Sequence, residues 1–328
     1  MKLASHLQQN ILEGEVEKVA NRDGFGQGLK EAGEANQQVV ALCGDLTEST
    51  RVSYFKEAFP ERFVQIGIAE QNMASVASGM AAMGKIPFIA SYAMFSPGRS
   101  WEQVRTTIAY NDSNVKIIGS HAGVSVGPDG ATHQAIEDIA LMRVMPNMTV
   151  IAPCDVHEAR KAVLYAAQHK GPVYIRLARE KTAVVTSPQS QFEFGKADIL
   201  AFKRETHQKT VGIITTGILA HEALVAANEL DKTGIGASVM HMATIKPLDE
   251  KAIKEFAEKH DILVTIEEHQ IAGGLGGAVS EYLSSTMPKK IIRLGVHDEF
   301  GQSGTPEELL SHYGIDSKAI IEAVKKNI

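Results

Sequence analysis

Residues 62–84 read RFVQIGIAEQNMASVASGMAAMG. The first six, RFVQIG, make a short β-prone apolar run. The segment from Ile68 to Met83 is nearly apolar all round, the pattern of a helix buried in an interior or an interface. A strand running through a tight turn into a helix is the repeating unit of an α/β fold. Glu70 falls in the first turn of that helix, where the helix dipole favours a carboxylate and burial penalises its charge. Two readings stand at this point: a helix-start carboxylate satisfied by backbone amides, or a functional acid.

Outward from this stretch the same grammar recurs. Strands are expected at 38–43, 62–67, 86–91, 115–120, 148–153 and 173–177, with helices near 69–83, 100–110, 134–143 and 155–169. The run REKTAVVTSPQSQFEFGKAD (179–198) breaks the rhythm with Pro188 and a series of polar residues, and the domain boundary is placed there. Strands then resume at 210–216, 236–242, 261–268 and 290–296, with helices near 219–232, 249–259 and 277–286. The expected fold class is α/β: two successive domains, 1–190 and 191–328, each a mostly parallel sheet flanked by helices. The glycine clusters GFGQG (24–28) and GGLGG (273–277) do not fit a dinucleotide fingerprint and are read as packing features.

Composition narrows the function classes. With 328 residues and 44% hydrophobic content the chain can bury two cores. A formal net charge of -6 without a basic stripe argues against a general nucleic-acid surface. The two cysteines, Cys43 and Cys154, stand far apart in apolar runs, which argues against a disulfide framework or a thiolate metal site and fits a reducing, cytoplasmic setting. The opening residues lack an apolar signal core, and no stretch reaches the length of a membrane span.

Glu70 is not the only polar group at a strand end. Asp45 follows the first strand, Tyr92 and Phe95 the third, His121 the fourth and Arg179 the sixth. Open parallel sheets bind ligands outside the carboxyl ends of their strands, so these groups converge on one edge. Asp129 and His133, four residues apart in GPDGATHQ, suit metal ligation, a loop turn with a cap, or substrate contact. Asp45 in CGDLTES also suits an N-cap or Asx-turn.

The segments GIAEQNM, SYAMF, SHAGVSVGPDGATHQAIEDIALMR and PNMTVIAPCD, in this order, resemble the pyrimidine-binding domain of transketolase-type thiamine diphosphate enzymes. IKPLD, TIEEH and DEFGQSG extend the resemblance into the C-terminal domain, so it covers nearly the whole chain. It implies that Glu70 contacts N1′ of the cofactor's aminopyrimidine, that Tyr92 and Phe95 pack on that ring, and that Asp45 lies near the cofactor. It further implies that Asp129 and His133 bind the sugar, with His133 aiding proton transfer, and that Arg22, Ser49, His121 and Arg179 hold a substrate phosphate. No metal ligand is assigned in this chain. The family's Gly-Asp-Gly motif for the diphosphate and its Mg²⁺ or Ca²⁺ is not found in it. The resemblance therefore implies the C-terminal subunit of a split transketolase, completed by an N-terminal subunit in an α2β2 heterotetramer. The alternatives are the matching half of a 1-deoxyxylulose-5-phosphate synthase-like enzyme and a non-catalytic subunit of the same fold. His121 in SHAG favours the transketolase over the synthase.

Overall fold

A computed structural model describes residues 1–204 and 206–328. Two sheets organise the chain. The first has seven strands in the order Thr244–Lys246, Thr149–Ile151, Val173–Arg176, Lys116–Ser120, Ile86–Tyr92, Val39–Cys43 and Phe63–Gln65. All neighbours in it run parallel except Thr244–Lys246, which lies antiparallel on the edge. The second has six strands: Lys2–Leu3, Asp198–Phe202, Ile235–His241, Lys209–Thr215, Ile262–Gln270 and Ile291–Val296. Its last four are parallel, and its first two are antiparallel additions. The α/β expectation holds, and the ten expected strands all appear.

Parallel strands covered on both faces need continuous apolar runs. Val39–Cys43 is buried throughout, as are Lys116–Ser120 and Val173–Arg176. One face of the first sheet packs Leu42, Ile89 and Ile117 against Met73 and Ile108; the other packs Ala41, Phe88 and Ile118 against Phe25, Leu29 and Val163. Each of the larger of these side chains contributes roughly 1.5–3 kcal/mol by leaving water, Ala41 less. The GFGQG glycines do serve packing. A Cβ on Gly24 would lie 2.0 Å from the Val156 carbonyl oxygen, so only glycine lets the Asn21–Ala35 and Val156–Gln168 helices approach this closely.

The sheets also trade edge strands. Lys2–Leu3 pairs with Asp198–Phe202 in the second sheet, while Thr244–Lys246 completes the first. A buried network ties them further: Arg176 donates to Asp138 (2.9 Å) and to the Glu268 carbonyl (2.7 Å).

Two helices differ from expectation. The 100–110 segment is a short turn at Trp101–Gln103 followed by a wide-turned stretch at Val104–Ala109. The Thr107 carbonyl there accepts from Ser78 Oγ (2.6 Å), Asn111 Nδ2 (3.1 Å) and Ser113 Oγ (3.1 Å), which draws it out of the regular helical ladder. The expected 134–143 helix starts only at Asp138, because the residues before it form the loop that carries His133. Among the described residues no helix is long and apolar enough to cross a membrane.

Candidate functional site

The strand ends of the first sheet deliver their side chains to one place. Ser120 ends a buried strand, and His121 follows it with φ +55°, a left-handed conformation that costs a non-glycine residue energy and clusters at functional sites. This turn aims the imidazole back across the sheet. Its Nδ1 meets Ser120 Oγ at 2.9 Å, and its Nε2 faces Ser49 Oγ at 3.3 Å and Arg22 at 3.5 Å. Arg22 donates to the Ser49 carbonyl (2.6 Å), and Ser49 Oγ lies 2.7 Å from the Tyr92 hydroxyl. The Tyr92 ring stacks on His121 with centroids 3.9 Å apart.

This cluster leaves a cationic donor open. Arg22 Nε is buried without a partner, a donor in need of an acceptor. The neighbouring acid that would compete for Arg22, Asp23, is held by Arg51 at 2.5 Å. Burial, then the charges of Arg22 and Arg179, push the His121 imidazole down to about 3. His121 is thus neutral at physiological pH and can donate or accept a hydrogen bond. The unfolded chain takes up this proton below about 6.5 and the folded one does not, so the group disfavours the fold increasingly as pH falls from 6.5 toward 3. In the unliganded chain the His121 ring resonances should stay fixed between pH 5 and 8; a midpoint near 6.5 would show that the imidazole is solvated.

Glu70 begins the Glu70–Ala82 helix and is 1% exposed. Its Oε2 accepts from Arg99 at 2.7 Å, and its Oε1 lies 3.5 Å from Ser91 Oγ. The Arg99 guanidinium covers the Phe95 ring at 4.7 Å, and Phe95 meets His133 edge-on at 5.5 Å. A cleft of about 530 Å³ opens beside them, bordered by Phe95, Gly98, Arg99, Asp138 and Leu141. A buried acceptor, an aromatic face and an open cleft fit the flat, polar-edged aminopyrimidine of thiamine. Arg99 is the residue that sequence reasoning missed. Its one signal was a cation four positions after Phe95, in a segment whose backbone, non-helical at Ser96, could not be foreseen.

The remaining expected residues sit around this core. His133 packs near Tyr92 (centroids 6.1 Å) and pairs its Nδ1 with Thr132 Oγ1 at 2.9 Å. Arg179 donates to the Val126 carbonyl (2.8 Å) and lies 3.6 Å from Asp129, which places both at the rim. Asp45 stands apart. It is exposed and accepts from Gln65 Nε2 at 3.2 Å, although a Cβ on its neighbour Gly44 would come within 3.5 Å of Glu70 Oε1.

Residues 17–184 match the family described as transketolase, pyrimidine binding domain, and residues 200–320 match transketolase, C-terminal domain. The chain is 45% identical to a putative transketolase C-terminal section of Methanocaldococcus jannaschii, covering 93% of this chain and 96% of that one. It is 40% identical to a 6-deoxy-6-sulfo-D-fructose transketolase subunit of a Clostridium species, over 92% of each. It is also 40% identical to rat transketolase, of which it spans 49%. A solved split gene transketolase, described as an inactive beta4 tetramer, superposes with a TM-score of 0.85 at 43% identity, covering 94% of this chain and 98% of that one. The chain belongs to the transketolase family and comprises its pyrimidine-binding and C-terminal domains.

Proposed function

We propose that the chain is the C-terminal subunit of a thiamine diphosphate-dependent transketolase, moving a two-carbon ketol unit from a ketose phosphate to an aldose phosphate. One observation carries this reading. An anion-ready cluster of Arg22, Ser49 and His121 is joined through Tyr92, Phe95 and His133 to a buried glutamate beside an open cleft. When bound, the cofactor supplies a nucleophilic carbon and an electron sink. The chain's own residues do the rest. Glu70 holds an ionised acceptor against the pyrimidine edge. Tyr92 and Phe95 keep the ring region apolar. His133, near both rings, exchanges a proton with a sugar hydroxyl, and Asp129 orients that sugar.

On this reading Mg²⁺ or Ca²⁺ and the diphosphate are held mainly by an N-terminal subunit, in an α2β2 assembly. The support is twofold. The chain spans half of full-length rat transketolase, and large apolar side chains flank the Glu70 helix uncovered, Ile68 at 75% and Met83 at 83% exposure. Residues 1–190 would then serve as the pyrimidine-binding unit and 191–328 as the C-terminal unit. The sulfosugar relative raises a second possibility for the anion, a sulfonate in place of phosphate. A panel of ketose phosphate, 6-sulfo-ketose and pyruvate donors on the reconstituted complex tests the proposal. Turnover of pyruvate alone would replace it with the synthase reading.

Arg179→Ala removes one charge-assisted contact, worth about 1.5–3 kcal/mol. The apparent KM for phosphorylated sugars should rise roughly ten- to hundredfold, and that for unphosphorylated donors much less. Equal losses on both would make Arg179 a brace for the Val126 loop.

A further inference from the structure

At the junction of the two sheets, five strands away from the edge strand that leads to Glu70, three dissimilar ligand groups converge. Cys154, Glu158 and His241 are all buried, and a thiol sulfur, a carboxylate oxygen and an imidazole nitrogen from them lie within 4.8 Å of one another. Among the described residues no other His, Cys, Asp and Glu group meets this condition. Cys154 and Glu158 come from the loop after the Thr149–Ile151 strand and the first turn of the following helix, while His241 ends a strand of the second sheet. Glu158 Oε2 lies 2.8 Å from His241 Nε2 and accepts from the Cys154 amide at 2.7 Å.

An ion pair between domains would account for Glu158 and His241 alone. It does not account for a thiol converging on the same point. Nor does it account for the opening in front. A cavity of about 430 Å³ leads to Glu158 and His241 and is lined also by His6, Glu193, Lys196 and Asp198. Three carboxylates against one lysine make that opening attractive to cations. Asp198, paired in register with His241 across adjacent strands, is held by His6 at 2.8 Å and lines the same cavity.

We propose that Cys154, Glu158 and His241 bind a thiophilic divalent cation of the zinc class, with water or Asp198 from the cavity as fourth ligand, and that this cation staples the two domains. A sulfur, a nitrogen and one oxygen select such a cation over Mg²⁺ or Ca²⁺, which take oxygen ligands. Ligand atoms around tetrahedral zinc stand roughly 3.2–3.8 Å apart, so Glu158 and His241, now 2.8 Å apart, would part slightly to admit the ion. The cation replaces the thiol proton and the proton between His241 and Glu158, both released to solvent.

The test is titration of the metal-stripped full chain with Co²⁺, whose bond to a thiolate gives a near-ultraviolet charge-transfer band. Wild type should take up one equivalent per chain with that band, Zn²⁺ should displace it, and Mg²⁺ should not. Cys43→Ala, which removes the other thiol, should keep the band, and Cys154→Ala should lose it. Zn²⁺ should also raise the melting temperature of wild type and leave that of Cys154→Ala unchanged. A wild-type chain without the band at saturating Co²⁺ overturns the proposal, as does a band that vanishes in Cys43→Ala or persists in Cys154→Ala. Should Cys154→Ala fail to fold, the wild-type and Cys43→Ala titrations still decide.

Discussion

Glu70→Gln should leave a folded complex whose turnover has dropped at least about a hundredfold. The substitution keeps the volume and one hydrogen bond to Arg99, which now lies 2.7 Å from the carboxylate, and removes only the ionised acceptor. The helix should survive, since Met73, Ala74 and Ala77 anchor it to the sheet irrespective of residue 70. Glu70→Ala should be worse, because it also strands the Arg99 guanidinium over Phe95. Steady-state ketol transfer, alongside circular dichroism of each variant complex, checks this. Near-normal turnover in a folded Glu70→Gln complex would remove the glutamate from the chemistry and leave it as a helix-start carboxylate.

The second large effect is all-or-none. The chain alone should fold and self-associate through its uncovered apolar surface, Ile68 and Met83 included, yet show no ketol transfer with excess thiamine diphosphate and Mg²⁺. Adding an N-terminal partner of roughly 250–300 residues, about two domains' worth, should restore turnover and make cofactor affinity depend on partner concentration. Calorimetric titration of the cofactor into each chain and into the mixture measures it directly. Tight binding and turnover by this chain alone would end the two-subunit reading.

How much of this could be read from the sequence depends on the range of the physics involved. Local pattern carried the strands and Glu70, because an apolar run with one carboxylate at a helix start is a signal spanning only a few residues. Of Arg22, Ser49 and His121, strand-end logic reached only His121, and family resemblance supplied the other two; the 3.3 and 3.5 Å contacts among them depend on the left-handed turn at His121, which no pattern announces. Arg99 was hidden for the same reason, its reach to Glu70 being set by an irregular loop. The Thr244–Lys246 strand was invisible because its partner, Thr149–Ile151, lies far upstream and the two pair within the first sheet. Spacing rules were also blind to Cys154, Glu158 and His241, since they look for ligands close in sequence and His241 is 83 positions beyond Glu158.

The traded edge strands limit how modular the chain can be. A fragment cut near residue 190 would strip Thr244–Lys246 from the first sheet and Lys2–Leu3 from the second, leaving each piece with an open row of backbone donors and acceptors. Chimeras that graft one relative's second half onto another's first half would inherit the same mismatch. The graft would have to carry an edge strand whose side chains suit a sheet it did not evolve beside. The practical unit of exchange is therefore the whole chain, with both sheets moving together.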